Sequence, residues 1–313
     1  MRIDRKKQLT AAVLAVFCTL LWGSATPCIK IGYPLFGIEN GTPFDRIFFA
    51  GLRFTGAGIL TLLAARLFRP AGCRLRRGHI LPVFGLGLVS TTGQYIFYYL
   101  GLANTTGSRC SILNGTSTFF TVFLAAAFFR SEKLTARRLI GCLAGFAGIV
   151  AINFGGQLGG NFRWNGDFFI IMASLMFAFG SVIAKKLTVT EDPIFVSGAQ
   201  LLCGGAVLLA VGLGFGGHLN RVPASGVALL TYMAFLSAAA FAIWTALMQR
   251  SDMASVSVFF FLVPVFGVAL SALFLHEKVL SPANLAALVF VCAGICLVNQ
   301  SPRRAGADGG ENH

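Results

Sequence analysis

Apolar segments of about 18 residues or more recur along nearly the whole chain, and each is long enough to cross a hydrocarbon layer about 30 Å thick as a helix. They are placed at roughly 9–29, 45–66, 80–101, 104–128, 136–155, 166–185, 193–215, 225–248, 254–275 and 281–300, and they leave no room for a soluble domain. Composition agrees: 56% of the 313 residues are hydrophobic and 12% charged, against roughly 45–50% apolar usage in soluble domains. Mean hydropathy is +0.77. The expected fold is therefore an all-α integral membrane protein of ten transmembrane helices. Pro43, Pro193 and Pro282 suit helix starts, where a missing N–H costs little. The Gly-rich stretch 212–217 and His218-Leu-Asn-Arg-Val-Pro223 read as a loop between the seventh and eighth spans.

Two stretches echo each other. Glu132-Lys133 is followed by Gly148-Ile-Val-Ala-Ile-Asn153, and Glu277-Lys278 by Gly294-Ile-Cys-Leu-Val-Asn299, the copies lying 145 to 146 positions apart. Duplicated halves with an odd number of crossings insert upside down relative to one another, as in many secondary transporters. Five spans per half make two inverted five-helix repeats, at 9–155 and 156–300, between an N-terminal segment 1–8 and a tail 301–313.

The net charge of +14 invites an anionic partner such as nucleic acid, yet the basic residues follow the loops and form no continuous basic segment, so none is expected. With the N-terminus inside, 18 Lys and Arg fall on that side and 6 on the other, with Arg53 inside a span. Both termini are thus expected in the cytoplasm. Cys18, Cys28, Cys142, Cys203, Cys292 and Cys296 sit in or beside spans and read as small buried thiols, not a disulfide framework. Cys292 and Cys296 share a helix face without a His or carboxylate, so neither a metal nor a cofactor is expected. The basic start followed by an apolar run has a signal-peptide layout, but a run of about 20 residues is too long for its core and reads as a retained span.

Four features resemble the drug/metabolite transporter superfamily, in particular its EamA family: Leu21-Trp22-Gly23-Ser24, Arg53-Phe54, the Glu-Lys turn after the fourth and ninth spans, and the Gly-Ile-x-x-x-Asn endings. The resemblance covers residues 9–300. It implies two five-helix halves around a central cavity, and export or uptake of small metabolites, with export the expected direction. One departure is that Pro264 of the ninth span has Thr118 as its counterpart, which leaves a shared bend of the two helices open. Trp22-Gly23-Ser24 corresponds to Phe179-Gly180-Ser181, Arg53 to Gln200 and Tyr98 to Trp244, so equivalent positions carry different polar groups.

Arg53 is the sharpest single residue. A cation about 12 Å into a helix costs upward of about 2.5 kcal/mol, so it must face the bundle or water and have a partner; ordering the packing and contacting substrate are the two readings. Glu132 and Glu277 can accept N–H bonds from the next helix start, a structural or gating role. No Asp or Glu sits mid-span, which weakens a buried proton relay. Ser111, Asn114 and Ser117 or Thr118 recur on one face of the fourth span, as a cavity wall or as glue between helices. Pro264 frees a carbonyl and can bend its helix. Gln94, Tyr95, Tyr98, Tyr99, Trp244 and Thr245 could contact a solute or form an interfacial belt.

The expected function is a transporter working by alternating access on a small-molecule substrate in the inner or plasma membrane, with Trp22, Ser24, Arg53, Gln94, Tyr98, Ser111, Asn114 and Trp244 at the substrate. A homodimer is compatible with the sequence. Rival readings are a lipid or lipid-linked sugar flippase, a channel, and a membrane-embedded enzyme, which would need clustered His, Asp or Glu; the four histidines are scattered.

Overall fold

The computed structural model describes residues 2–129, 162–250 and 259–277, with positions 135–136, 139–141, 256, 289–290 and 293. Most of the fifth and tenth spans, Glu132-Lys133, both Gly-Ile-x-x-x-Asn endings, Cys142, Cys292, Cys296 and Pro282 lie outside the described residues. Within them the elements are α1 (Arg2–Leu35), α2 (Pro43–Phe68), α3 (Ile80–Gly87), α4 (Gln94–Ala103), α5 (Gly107–Asn114), α6 (Thr116–Phe128), α7 (Phe169–Leu187), α8 (Pro193–Gly214), α9 (Ala224–Arg250) and α10 (Leu262–Leu275), with no strand among the described residues. Wider π turns at Leu88–Gly93 and Trp164–Phe168 join α3 to α4 and lead into α7. Among the described residues, seven stretches are long and apolar enough to cross a membrane, and α10 is a shorter apolar helix.

Loop contacts sort the bundle into two faces. On the N-terminal face, where α1 begins, Arg69 bonds Asp192, His79 bonds Glu191 and Gln249 bonds the Thr188 carbonyl. On the far face Asn220 bonds the Gly37 carbonyl and Asn104 that of Asn165. The helix starts are made as the prolines suggest. Pro43 follows Thr42, which forms a reciprocal capping box with Asp45, the Thr42 N–H donating to Oδ2 at 2.6 Å. Asp45 Oδ1 also accepts the His218 N–H at 2.9 Å, tying the loop before α9 to the start of α2. Pro193 follows Asp192, whose Oδ1 accepts from the N–H groups of Ile194 and Phe195. The first helix runs six residues past its expected end, because its last turn packs into the bundle: the Tyr33 hydroxyl donates to the Tyr99 carbonyl at 2.9 Å.

Among the described helices the closest pair is α2 against α8, running antiparallel. A Cβ added to Gly51, Gly58, Gly205 or Gly212 would fall 2.4–2.7 Å from the backbone of Leu209, Leu202, Thr55 or Phe48 respectively. Glycines seven residues apart keep returning to the same face, so two backbones touch over about three turns where any side chain would force them apart.

The fourth and ninth spans both lose regular geometry. Between α5 and α6 the Gly115 N–H turns to the Ile112 carbonyl at 3.0 Å. The Thr116 and Ser117 hydroxyls take the Leu113 and Asn114 carbonyls at 2.7 and 2.8 Å, competing with the helix ladder. In the ninth span a 3₁₀ turn at Phe259–Phe261 precedes α10, and Pro264 lies in the first turn of that helix. The two spans thus depart from regular α-helix at positions one repeat apart, Asn114–Gly115 and Phe259–Phe261.

Candidate functional site

Mid-depth between α1, α2, α4, α5 and α7 lies a cavity of about 30 Å³, with Trp22, Arg53, Gln94, Tyr98, Asn114, Phe177 and Phe260 in its wall. That is room for one or two waters. Asn114 and Phe260 stand 146 residues apart in the sequence, and each marks the break in its own span. Both interrupted helices therefore present their irregular segment to the same space, the place where freed backbone groups can be tolerated inside a membrane.

Arg53 is the bulkiest fully buried side chain among the described residues, 1% exposed. Its Nε donates to Ser237 Oγ at 2.9 Å and to the Met233 carbonyl at 3.3 Å, and Nη1 to the Tyr99 hydroxyl at 3.2 Å. The guanidinium carbon lies 4.8 Å from the Phe54 ring centre and 6.0 Å from that of Tyr95. Neutral oxygens and ring faces hold the cation, and no carboxylate pairs with it among the described residues. Gln94, 6% exposed, leaves its Oε1 in the same cavity without a hydrogen-bond partner among the described residues. The cavity wall thus combines a buried positive charge with an unmet acceptor.

Toward the N-terminal face the cavity ends at stacked rings. Trp22 lies 6.0, 5.4, 5.1 and 5.3 Å between centroids from Phe177, Phe241, Trp244 and Phe260, and Phe177 stacks on Phe260 at 4.7 Å. Ser117 and Thr118 line this closed zone. Beyond it is a second cavity of about 20 Å³ with Ser90, Lys185, Gln200, Trp244 and Thr245 in its wall. At the far face Lys30, Asn104, Thr105, Arg163 and Asn165 surround a vestibule of about 540 Å³.

Two constraints shape that face. The Glu277 carboxylate accepts from the Gly107 and Ser108 N–H groups at 2.8 and 2.9 Å and from Ser108 Oγ at 2.5 Å, so it caps the start of α5 in the other half of the chain. His276 just before it is the one non-glycine residue with positive φ among the described residues, at 52°, a strained backbone that aims the carboxylate. Arg109 and Asp167 form a buried two-point ion pair at 2.9 and 2.6 Å, and Asp167 Oδ2 also takes the Arg163 N–H at 3.0 Å.

Of the residues singled out in the sequence, Trp22, Arg53, Gln94, Tyr98 and Asn114 meet at the first cavity and Trp244 at the second. Ser24 and Ser111 line neither. Ser24 Oγ shares hydrogen bonds with the Leu21 carbonyl and the Tyr232 hydroxyl, both at 2.8 Å, and Ser111 packs against Gly267. Tyr95, Tyr98, Tyr99 and Trp244 are buried inside the bundle. Glu277 caps the fourth span; the start of the helix that follows it, and Glu132, lie outside the described residues. Phe177 and Phe260 were not singled out, being two of 31 phenylalanines; the 146-residue offset from Asn114 was the one signal for Phe260.

The family model described as "EamA-like transporter family" matches residues 9–154 and 164–300. An "Uncharacterized transporter YvbV" of Bacillus subtilis is 27% identical, over 92% of this chain and 91% of its own. An "Uncharacterized inner membrane transporter YedA" of Escherichia coli is 30% identical, over 75% and 72%. A "Probable terminal-alkyne amino-acid exporter" of Streptantibioticus cattleyicolor is 25% identical, over 94% and 95%. A solved crystal structure, 19% identical, shares the fold with a TM-score of 0.70 over 93% of this chain and 96% of that one.

Proposed function

The chain belongs to the EamA-like transporter family and is a multi-pass membrane protein, and from that premise we propose that it exports a small carboxylate-bearing metabolite by alternating access. The two halves are inverted five-helix repeats, and both termini lie in the cytoplasm. Support for the inverted halves comes from the family model matching twice and from α2 and α8, the second helix of each match, meeting antiparallel on glycines of the same spacing. Support for export, and for an amino-acid-like solute, comes from one relative's name.

The observation that carries the proposal is Arg53, a buried cation on the cavity wall without a carboxylate partner among the described residues. A solute carboxylate supplies the missing charge, and Gln94 Oε1 accepts from its ammonium or hydroxyl. A solute of metabolite size needs a site of about 300 Å³ or more, so the contracted cavity has to widen for each passage and close again, as a carrier does.

The test is flux of a mixture of radiolabelled L-amino acids in proteoliposomes. Saturable flux, reduced by an excess of unlabelled solute, is expected. A flux that never saturates points to a channel, and lipid scrambling without solute flux to a flippase. Arg53→Gln should raise the half-saturating concentration about 10- to 100-fold, the worth of a hydrogen bond to a charged group, and Asn114→Leu should impair transport while leaving the protein in the membrane.

A further inference from the structure

We infer that the chain holds a second solute subsite, in the cavity on the N-terminal side of the stacked rings, built on Gln200 and Trp244. The inference rests on the carrier reading above and adds a station to it.

Gln200 is 2% exposed and Trp244 4% exposed, and both line this cavity. Gln200 Oε1 and Trp244 Nε1 are each buried without a hydrogen-bond partner among the described residues. Buried polar atoms are nearly always satisfied, and each unmet one is costly. Here an unmet acceptor and an unmet donor share one small space on the path between the first cavity and the N-terminal face. An apolar side chain of similar shape at either position would pack as well without that cost, so packing alone does not account for the pair.

Their chemistry defines the occupant. Gln200 Oε1 takes an N–H or O–H, and the Trp244 indole N–H gives to an oxygen. Thr245 and Ser90 offer hydroxyls, and Lys185 stands at the mouth. The complement is a small solute bearing both an ammonium or hydroxyl and a carboxylate, the kind the first cavity fits through Gln94 and Arg53. The two cavities thus repeat one pairing, an amide oxygen with an N–H donor, on either side of the Phe177–Phe260 stack. The solute rests against Gln200 and Trp244 on the N-terminal side, the rings part, and it passes to Arg53 and Gln94.

The three tryptophans allow the stations to be read separately, because Trp22 borders the first cavity, Trp244 the second, and Trp164 is 71% exposed on the surface. Purified protein with Trp244 as its sole indole (Trp22→Phe, Trp164→Phe) is titrated with a mixture of non-aromatic L-amino acids. A saturable emission shift is expected, and adding Gln200→Leu should raise its midpoint about tenfold, the loss of one hydrogen bond to a charged group. Protein with Trp22 as its sole indole (Trp164→Phe, Trp244→Phe) reports the first cavity. A shift at Trp22 with none at Trp244 overturns the second subsite and leaves the carrier reading standing; no shift at either overturns both. If Trp22→Phe does not fold, the unaltered protein answers the same question. The part of its emission change removed by Trp244→Phe should then also be weakened by Gln200→Leu, and a change indifferent to both substitutions contradicts the subsite.

Discussion

Charge burial is tolerated in this bundle by two different routes. Arg109 and Asp167 neutralise each other near the far face in a two-point pair, with Thr105 and the Arg163 backbone adding bonds to the carboxylate. Removing one partner strands the other, so Asp167→Asn should lower stability in detergent by about 3–5 kcal/mol, read by denaturation, while Asp167 and Arg109 replaced together by apolar residues should cost less. Arg53 has hydroxyls, a carbonyl and ring faces instead. In the far-face loop, the Gly216 carbonyl and then Asp45 hold the His218 imidazole above the ordinary histidine range. A raised value means that the bond helps most below the ordinary range and is lost as pH rises through the raised one. The protection of the His218, Leu219 and Asn220 amides, taken relative to their intrinsic base-catalysed exchange, should accordingly fall as pH rises through that value. Sequence alone brought five polar or aromatic residues to the first cavity because a polar group mid-span is expensive and has few places to go. Ser24 lies outside both cavities, its hydroxyl satisfied on a carbonyl three residues back, a bond that hydropathy does not register.

Among the helices, the glycine pairs of α2 and α8 set the tightest limit. A methyl at Gly205 would sit 2.4 Å from the Thr55 nitrogen, whereas one at Gly214, the last residue of α8, meets open space. Gly205→Ala should therefore cost about 1–3 kcal/mol and reduce transport, while Gly214→Ala should change stability little; thermal denaturation of the two variants compares them directly. The seven-residue spacing was readable in the chain, but which helix received it was not, since any neighbour of matching contour would serve. The breaks at Asn114–Gly115 and Phe259–Phe261 show the same limit. Proline advertises one, and two hydroxyls with a glycine conceal the other. Glu277 fastens the end of the ninth span to the start of the fourth, so the helices that carry the two breaks are tied at the far face. Glu277→Ala leaves the Gly107 and Ser108 N–H groups without that partner, and should lower flux more than Glu277→Gln, whose amide oxygen can still accept one bond. Equal flux in the two variants would assign Glu277 no part in closing that face.

For the molecule as a whole, its elements form a sequence of spaces: a vestibule at the far face, a small polar cavity, an aromatic barrier and a second small polar cavity toward the N-terminal face. The membrane class and the family were legible from long apolar runs and a few ordered motifs. The barrier was not, because it exists only where rings from α1, α7, α9 and the Phe259–Phe261 turn converge. The central claim is that the two cavities belong to one passage and open to opposite sides in turn. The most direct measurement places a cysteine at Asn114 or at Thr245 and follows its labelling by a membrane-impermeant thiol reagent in sealed vesicles of each orientation, against the parent protein. The account predicts that Thr245→Cys reacts from the N-terminal side and Asn114→Cys from the far side, and that transported solute changes the two rates in opposite directions. Reaction of both positions from both sides at once, unaffected by solute, would mean a continuous pore and would contradict it.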